Sequence, residues 1–510
     1  MLDLPGARVL LRAGVLAPSR PDRLLGAALA LARYGVSPAT GYAAGAALHP
    51  DRVALVDDQG ALTWRDVDQR TARLAGALRQ RGVHDGARVG VLARNGRGFV
   101  DATVAAAKCG ADVLYLGTGS AGVQLAEVLR REAATTLLYD AEFADLLMPA
   151  LAGRTGITTE QLAGLVDEPG PGAPPKSGHH PRQVLLTSGT TGAPRGAARA
   201  GAGLEDAASF LSCLPLHAGE TTVIACPLFH AWGLGHLGLA MLLGSTAVVQ
   251  QRFDADAVLQ AVQDHRATTL VVVPVLLDKL LAADPARYDL SSLRVIASSG
   301  SALPGELAAR TLAAFGPVLY NVYGSTEVAY AAVAGPAELA ADPRSAGRPP
   351  RGVTLRVVDD RGVDVPTGTP GRIFVGSGLA FDGYTDGSDK LRLGALVGTG
   401  DRGSLSADGR LTVLGRDDDM VVVGGENVFT GQVEDVLLTH PGVREVAVTG
   451  TDDPSYGVRL VAHVVGDVDP ERLRALVADK LARAAVPREW RFLDELPRGA
   501  TGKVLKRVLS

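Results

Sequence analysis

Between residues 88 and 139 short apolar runs alternate with stretches of helical period. ARVGVLA, ADVLYLG and TTLLYD predict strands, while GFVDATVAAAKCG and GVQLAEVLRREA place apolar residues every three or four positions. That alternation predicts βαβ units and a parallel sheet. DEPGPGAPPKSGHHPR, residues 167–182, has no period and predicts a solvated loop; its His179 and His180 lack further ligands at a spacing a metal would need. The alternation then resumes through TTVIACPLF, STAVVQ, TTLVVVP, LRVIASSGS and PVLYNVYGSTE. From about Val353, GVTLRVVDDRGVDVPTGTPGRIFVG changes to β-branched alternation punctuated by Gly, Pro and Asp turns. Beyond about Arg416, the strands VREVAVTG and RLVAHVVGD and the helices GQVEDVLLTH and PERLRALVADKLARAA predict a small α+β domain.

A helical extension of about residues 1–45 precedes all of this. Its longest apolar piece, LLGAALALA, falls far short of the ~20 residues that span a bilayer. Scattered arginines replace the basic start and single apolar block of a secretory signal. A helix packed on the body is the expectation for this stretch, ahead of a membrane-surface helix, because only two arginines flank its apolar part.

The chain has 510 residues and a net charge of −4, so it is long enough for several domains and carries none of the basic stripes of a nucleic-acid binder. Three scattered cysteines, Cys109, Cys213 and Cys226, form no disulfide framework and fit a reducing, cytoplasmic setting. With 44 arginines against 7 lysines, each lysine is more informative than usual.

Chemistry concentrates in a few turns. VLLTSGTTGAPRG follows a strand with Thr187, Ser188, Gly189, Thr190, Thr191 and Gly192, hydroxyls and unobstructed N–H groups able to wrap phosphate oxygens. It lacks the lysine of a Walker A loop. NVYGSTEVA presents Tyr323, Thr326 and Glu327, suited to a base face, a phosphate oxygen and a magnesium ion. Asp401 in TGDRG can accept from both ribose hydroxyls. Arg416 lies at the domain boundary, and Lys503 sits in a Gly-flanked C-terminal loop.

Taken in order, TSGTTGAPRG, PLFHAWG, ASSGSALP, YGSTE, TGDRG, GRDDDMVVVGGENVF and LPRGATGK resemble the adenylate-forming superfamily over nearly the whole chain. That superfamily comprises acyl- and aryl-CoA ligases, luciferases and peptide-synthetase adenylation domains. The fatty-acyl-CoA ligase branch is the most similar. The resemblance implies an α/β fold: a large N-terminal domain of stacked mixed sheets with a β-rich subdomain (1–415), then a small mobile α+β domain (416–510) hinged at Asp418. It implies that Thr187 to Gly192, with Arg195, hold the β- and γ-phosphates. Gly300, Ser301, Ala302, Asn321, Tyr323 and Gly324 would enclose adenine. Thr326 would meet the α-phosphate, Glu327 the magnesium, and Asp401 and Arg416 the ribose. Lys503 would bridge the acyl oxygen and α-phosphate, and His230 would gate the acyl pocket, although a lone histidine beside Phe229 and Trp232 also reads as a core residue. The implied cofactors are ATP, Mg2+ and coenzyme A, and the partners are a small acid and a thiol or amine acceptor. Oligomeric state is left open, a homodimer included.

Arg195 replaces the usual lysine of the phosphate loop. Other departures cluster where the second half-reaction is served. Thr430 replaces a proline, with helix capping as its simplest role; Gln432 replaces a glutamate and Ala485 a lysine. The leading expectation is therefore an AMP-forming ligase making a fatty or aryl thioester of coenzyme A. Two readings stand beside it. In one, the same activation serves an amine or carrier protein, or acts on a non-carboxylate oxyanion such as nitrite. In the other the chain is a non-catalytic nucleotide binder, against which Glu327, Asp401 and Lys503 argue.

Overall fold

The computed structural model describes residues 3–167, 178–187, 195–199, 203–417, 419–423, 426–453, 457–499 and 503–509. Two large sheets carry the body. The eight-stranded one runs Ala332–Ala334, Leu319–Tyr323, Val295–Ser298, Thr269–Val272, Thr221–Ile224, Thr246–Val249, Val53–Asp57, Gly60–Thr63. It is parallel except at its two edge pairs. The six-stranded one runs Thr155–Thr158, Thr136–Tyr139, Arg88–Leu92, Asp112–Tyr115, Gln183–Thr187, Arg195–Arg199, parallel except for the last pair. Their inner strands are continuous apolar runs because helices cover both faces. Thr269–Val272 and Asp112–Tyr115 are buried at every position.

One core cluster joins the sheets: Val89, Val91, Val113 and Leu138 from one meet Ile224, Val249 and Val271 from the other. The helices Trp64–Gln80, Arg97–Lys108 and Ala231–Leu242 fill the layer between. Thr63 and Asp66 form a reciprocal cap on the first of these. Trp64 then lies against Gly45, where any Cβ would strike the indole ring. Charges inside this layer are paired. Arg70 Nε is 2.9 Å from Asp101 Oδ2, and Lys108 Nζ is 2.6 Å from Asp68 Oδ1.

Thr354–Val358, Gly371–Gly376, Leu396–Leu405, Arg392–Leu393 and Leu411–Arg416 form an antiparallel five-stranded sheet. Its first hairpin signals were those of the turn-rich sequence after Val353. The C-terminal residues carry a two-stranded sheet, Met420–Val423 with Glu426–Phe429, and a three-stranded sheet of Val443–Asp453, Gly457–Gly466 and Glu489–Phe492. Helices Thr430–Leu438 and Pro470–Lys480 share a core with the latter through Val433, Leu437, Leu473 and Val477.

Three expectations gain detail. His179 stays in its loop, half-buried, with Nε2 2.7 Å from Asp112 Oδ1, which also accepts from the Arg182 N–H. Thr430 does not cap its helix, which begins at Thr430 itself behind Phe429, and no side chain makes the cap bond. Thr430 is buried instead, and its hydroxyl accepts from Lys506 Nζ at 2.8 Å. The helix Pro21–Tyr34 packs on the body through Ala30 and Tyr34 but turns its leucines outward. Among the described residues no helix is long and apolar enough to cross a membrane.

Candidate active site

The C-terminal ends of Leu319–Tyr323 and Val295–Ser298 open toward the antiparallel sheet, and the predicted residues gather there. Tyr323 closes its strand, and its hydroxyl donates to Asp401 Oδ2 at 2.6 Å and lies 3.1 Å from Thr399 Oγ1. Asp401 pairs across the sheet with Arg416, whose Nε is 3.6 Å from Asp401 Oδ1. One oxygen of Asp401 is thus engaged by a phenol and the other faces a cation. Burial pushes the Asp401 carboxyl up, against the pull of Tyr323 and Arg416.

Gly324 makes the turn after Tyr323 possible, since a Cβ there would strike the Ala329 carbonyl oxygen. Thr326 is half-buried in that turn, and Glu327 is buried at its end. The Tyr384 hydroxyl donates to Glu327 Oε1 at 2.6 Å, and Lys390 Nζ lies 3.8 Å from the same oxygen. Burial raises the Glu327 carboxyl, but Tyr384, Lys390 and the Ser325 hydroxyl outweigh it and hold the group below its ordinary value. Glu327 is therefore kept as a carboxylate.

Asn321 Nδ2 donates to the Ser345 carbonyl at 3.3 Å. Gly300, Ser301 and Ala302 follow the strand Val295–Ser298, Gly300 with φ +91° and the next two exposed. Arg195 opens its strand opposite Thr187, with its guanidinium 5.5 Å from the Tyr384 ring centre and Nε 3.9 Å from Asp386 Oδ2. The side chain of Thr187, the whole of Ser188, Gly189, Thr190, Thr191 and Gly192, and Asp418 lie outside the described residues.

Lys503 reaches this place from the far end of the chain. It keeps contact with solvent, yet enough protein surrounds its ammonium to lower its pKa; Arg416 lowers it further, while Asp401 and Glu327 draw it back up. His230 precedes Ala231–Leu242 and feels both its own burial and the Lys503 charge, which bring it down to about 4, a neutral imidazole at pH 7. Its Nε2 is buried without a hydrogen-bond partner among the described residues. Trp232 Nε1 donates to the Val272 carbonyl at 3.0 Å, and His236 lies edge-on to Trp232 and Phe210 behind it.

Tyr323, Asp401, Arg416, Glu327, Lys503, His230 and, through Tyr384, Arg195 are thus brought together, whereas Asn321 and residues 300–302 stand at the ends of the neighbouring strands. Sequence reasoning missed Tyr384, Lys390 and Asp386, which lie in FDGYTDGSDK. Lys390 did carry a signal, as one of only seven lysines. Arg195, Lys390, Arg416 and Lys503 against Glu327, Asp401 and Asp386 make a donor set suited to a polyanion.

A large α/β body with a smaller C-terminal part, its cleft rimmed by cations and two buried carboxylates, defines the adenylate-forming class. The chain belongs to the AMP-binding enzyme family: residues 42–385 match the AMP-binding enzyme family and residues 432–503 its C-terminal domain. It is an enzyme of the AMP-forming ligase class. It is 33% identical over 474 residues to feruloyl-CoA synthase of an Amycolatopsis species, covering 90% of this chain and 96% of that protein. The structure of o-succinylbenzoate CoA synthetase from Bacillus subtilis with its acyl-adenylate superposes with a TM-score of 0.84 at 26% identity, over 92% of this chain and 97% of that one. An amide bond synthetase from Marinactinospora thermotolerans gives 0.81 at 26% identity, over 96% and 99%.

Proposed function

We propose that this enzyme activates an aryl or other apolar carboxylic acid with ATP and passes the acyl group to coenzyme A. The observation that carries the reading is the convergence of Lys503 on Glu327, Asp401, Arg416 and His230. In the first step a carboxylate oxygen attacks the α-phosphorus, the bond to the bridging oxygen breaks, and pyrophosphate leaves. Two anions must meet, so the protein's task is positioning and charge neutralisation. Lys503 supplies a positive charge between acid and α-phosphate, and Thr326 a hydroxyl beside it. Asp401, oriented by Tyr323, accepts from the ribose, with Arg416 alongside. Tyr323, Asn321, Gly324 and residues 300–302 border the base.

Among the described residues no group of three or more His, Cys, Asp and Glu could hold a metal by themselves. Glu327, kept ionised, would hold a magnesium ion whose remaining ligands would have to come from outside the protein's carboxylates. Such an ion neutralises phosphate charge when bound. We place the boundary of the two parts at 415/416 with Asp418 as hinge. In the second step a thiol sulfur attacks the acyl carbon and AMP departs. The neutral His230 and the aromatic group of Trp232, His236 and Phe210 support an aryl acid.

A second reading, transfer to an amine, draws on the likeness to the amide bond synthetase. The test is pyrophosphate release from ATP and magnesium across fatty acids, aryl acids and nitrite, each with and without coenzyme A or an aromatic amine. Turnover that yields a thioester upholds the proposal. Products only with amine replace it, and release no greater than that of Lys503→Ala for every acid defeats it.

A further inference from the structure

The helix Pro21–Tyr34 is inside out for a soluble surface helix. Its inward side holds no leucine: Ala30 and the ring of Tyr34 are buried, and Gly26 approaches Ala47 so closely that a Cβ would come within 2.9 Å of the alanine methyl. Arg23 fixes the helix to the Leu48 carbonyl at 2.9 Å. Past Pro21 and Asp22, which are also exposed in the first turn with Asp22 paired to Arg20, the exposed side is Leu24, Leu25, Ala28, Leu29, Leu31 and Ala32, with no charge among them. At about 100° per residue these six fall within roughly 160° of the circumference, a contiguous apolar stripe. Leu25 is 61% and Leu29 60% exposed. The preceding segment continues the character, with Leu4, Leu11 and Leu16 exposed beside exposed Arg8, Arg12 and Arg20. Soluble monomers rarely leave a patch of this kind uncovered.

Charge decides what covers it. Residues 3–36 hold five arginines and two aspartates, a net +3, in a chain whose net charge is −4. Two copies of a +3 segment set face to face repel, whereas an anionic surface is attracted by the arginines and takes the leucines below its headgroups. We propose that this N-terminal helical segment docks the enzyme on an anionic lipid surface. The helix lies in the interface plane and does not cross it.

The test is co-sedimentation of the full chain with vesicles of phosphatidylglycerol and phosphatidylcholine, compared with phosphatidylcholine alone. The expected result is at least tenfold stronger binding to the anionic vesicles, falling as salt is raised. The Leu25→Glu/Leu29→Glu double variant should lose at least tenfold while keeping pyrophosphate release with a soluble acid. Should that variant fail to fold, the Arg8→Gln/Arg12→Gln pair reads the same question through weakened, less salt-sensitive binding. Absence of vesicle binding by the unaltered chain overturns the proposal, as does equal binding to both vesicle types or binding indifferent to the variants. A concentration-dependent dimer that Leu25→Glu/Leu29→Glu disperses, without lipid binding, overturns it in favour of a second copy.

Discussion

The body wall of the cleft and its C-terminal wall are held in opposite ways. On the body, each acidic group is wired to a strand or a neighbouring loop: Tyr323 to Asp401, Asp401 across to Arg416, Tyr384 and Lys390 to Glu327. Beyond the strand that ends at Arg416, the C-terminal wall offers, among the described residues, Lys503 on a short tail. That tail closes on itself through the Gly499 N–H to the Lys503 carbonyl at 2.8 Å and the Leu505 N–H to the Pro497 carbonyl at 2.8 Å. Lys506 then ties it to the helix Thr430–Leu438, with Nζ 2.8 Å from both Thr430 Oγ1 and Glu434 Oε1. A preorganised wall suits binding, which needs fixed partners. A lone charge on a tied tail suits a group that must act in one step and be withdrawn in the next. Thr430 acquires a reason here: the hydroxyl that replaces proline is part of the tie.

If the comparison is sound, its largest consequence is at Lys503. Lys503→Ala should lower pyrophosphate release at least 100-fold, about 2.7 kcal/mol, while the affinity for ATP changes little. Supplied with ready-made acyl-adenylate, the variant should still form product. Rapid-quench assay of the two half-reactions reads both. Equal loss in both would mean the C-terminal wall binds as the body wall does. Tyr384→Phe probes the other side. Without its hydroxyl, buried Glu327 loses a donor that offsets burial, so its carboxyl rises, and KM for magnesium-ATP should rise roughly tenfold, about 1.4 kcal/mol. A variant with unaltered KM would detach Glu327 from the metal role.

The acyl side yields a pH effect. Burial lowers His236 to about 3, and His230 stands at about 4. Below the unfolded value near 6.5 the unfolded chain binds protons that the folded imidazoles refuse, so stability falls with pH through the window from 6.5 toward 4. Each group contributes a slope of up to about 1.4 kcal/mol per pH unit. His236→Leu should flatten the decline by one such slope, seen in urea midpoints at pH 7, 6 and 5. An unchanged slope would place the ring in contact with water.

The inner strands of the two large sheets were legible because they are short, mostly apolar runs, buried at every position in cases such as TLVV or DVLY. The helices between them were legible by period. Tyr323, Glu327, Asp401, Arg416 and Lys503 could be picked out because each lies in a short motif of the resemblance; the phosphate loop 188–192 lies outside the described residues. Tyr384 and Lys390 were not: they meet Glu327 from some 60 positions away, and nothing in FDGYTDGSDK marks that contact except the rarity of lysine. The N-terminal helix shows a second limit. Its sequence displays a leucine side and a small side, but which one faces inward depends on the groove that receives it. Here the alanines of the groove, Ala39, Ala43 and Ala47, receive Gly26, Ala30 and the ring of Tyr34, and the leucines are left outside.

The smallest effect is expected at Arg195, where the resemblance to the family implies a lysine. Its guanidinium carbon lies 5.5 Å from the Tyr384 ring centre, and its pairing with Asp386 at 3.9 Å is partly solvent-exposed. Exposed pairs and exposed cation–ring contacts contribute about 0.5–1 kcal/mol each. Lysine keeps the charge and loses the planar contact. Arg195→Lys should therefore move KM for ATP by no more than about threefold, while Arg195→Gln, which removes the charge from the cleft rim, should move it further. Because the ring belongs to Tyr384, which itself holds Glu327, the lysine variant also reports on the wiring of the body wall. If it shifts KM tenfold or more, the guanidinium grips phosphate with paired N–H groups that an ammonium cannot reproduce. Arginine at this position would then be part of the binding machinery instead of one more instance of a chain that uses arginine for nearly all its positive charge.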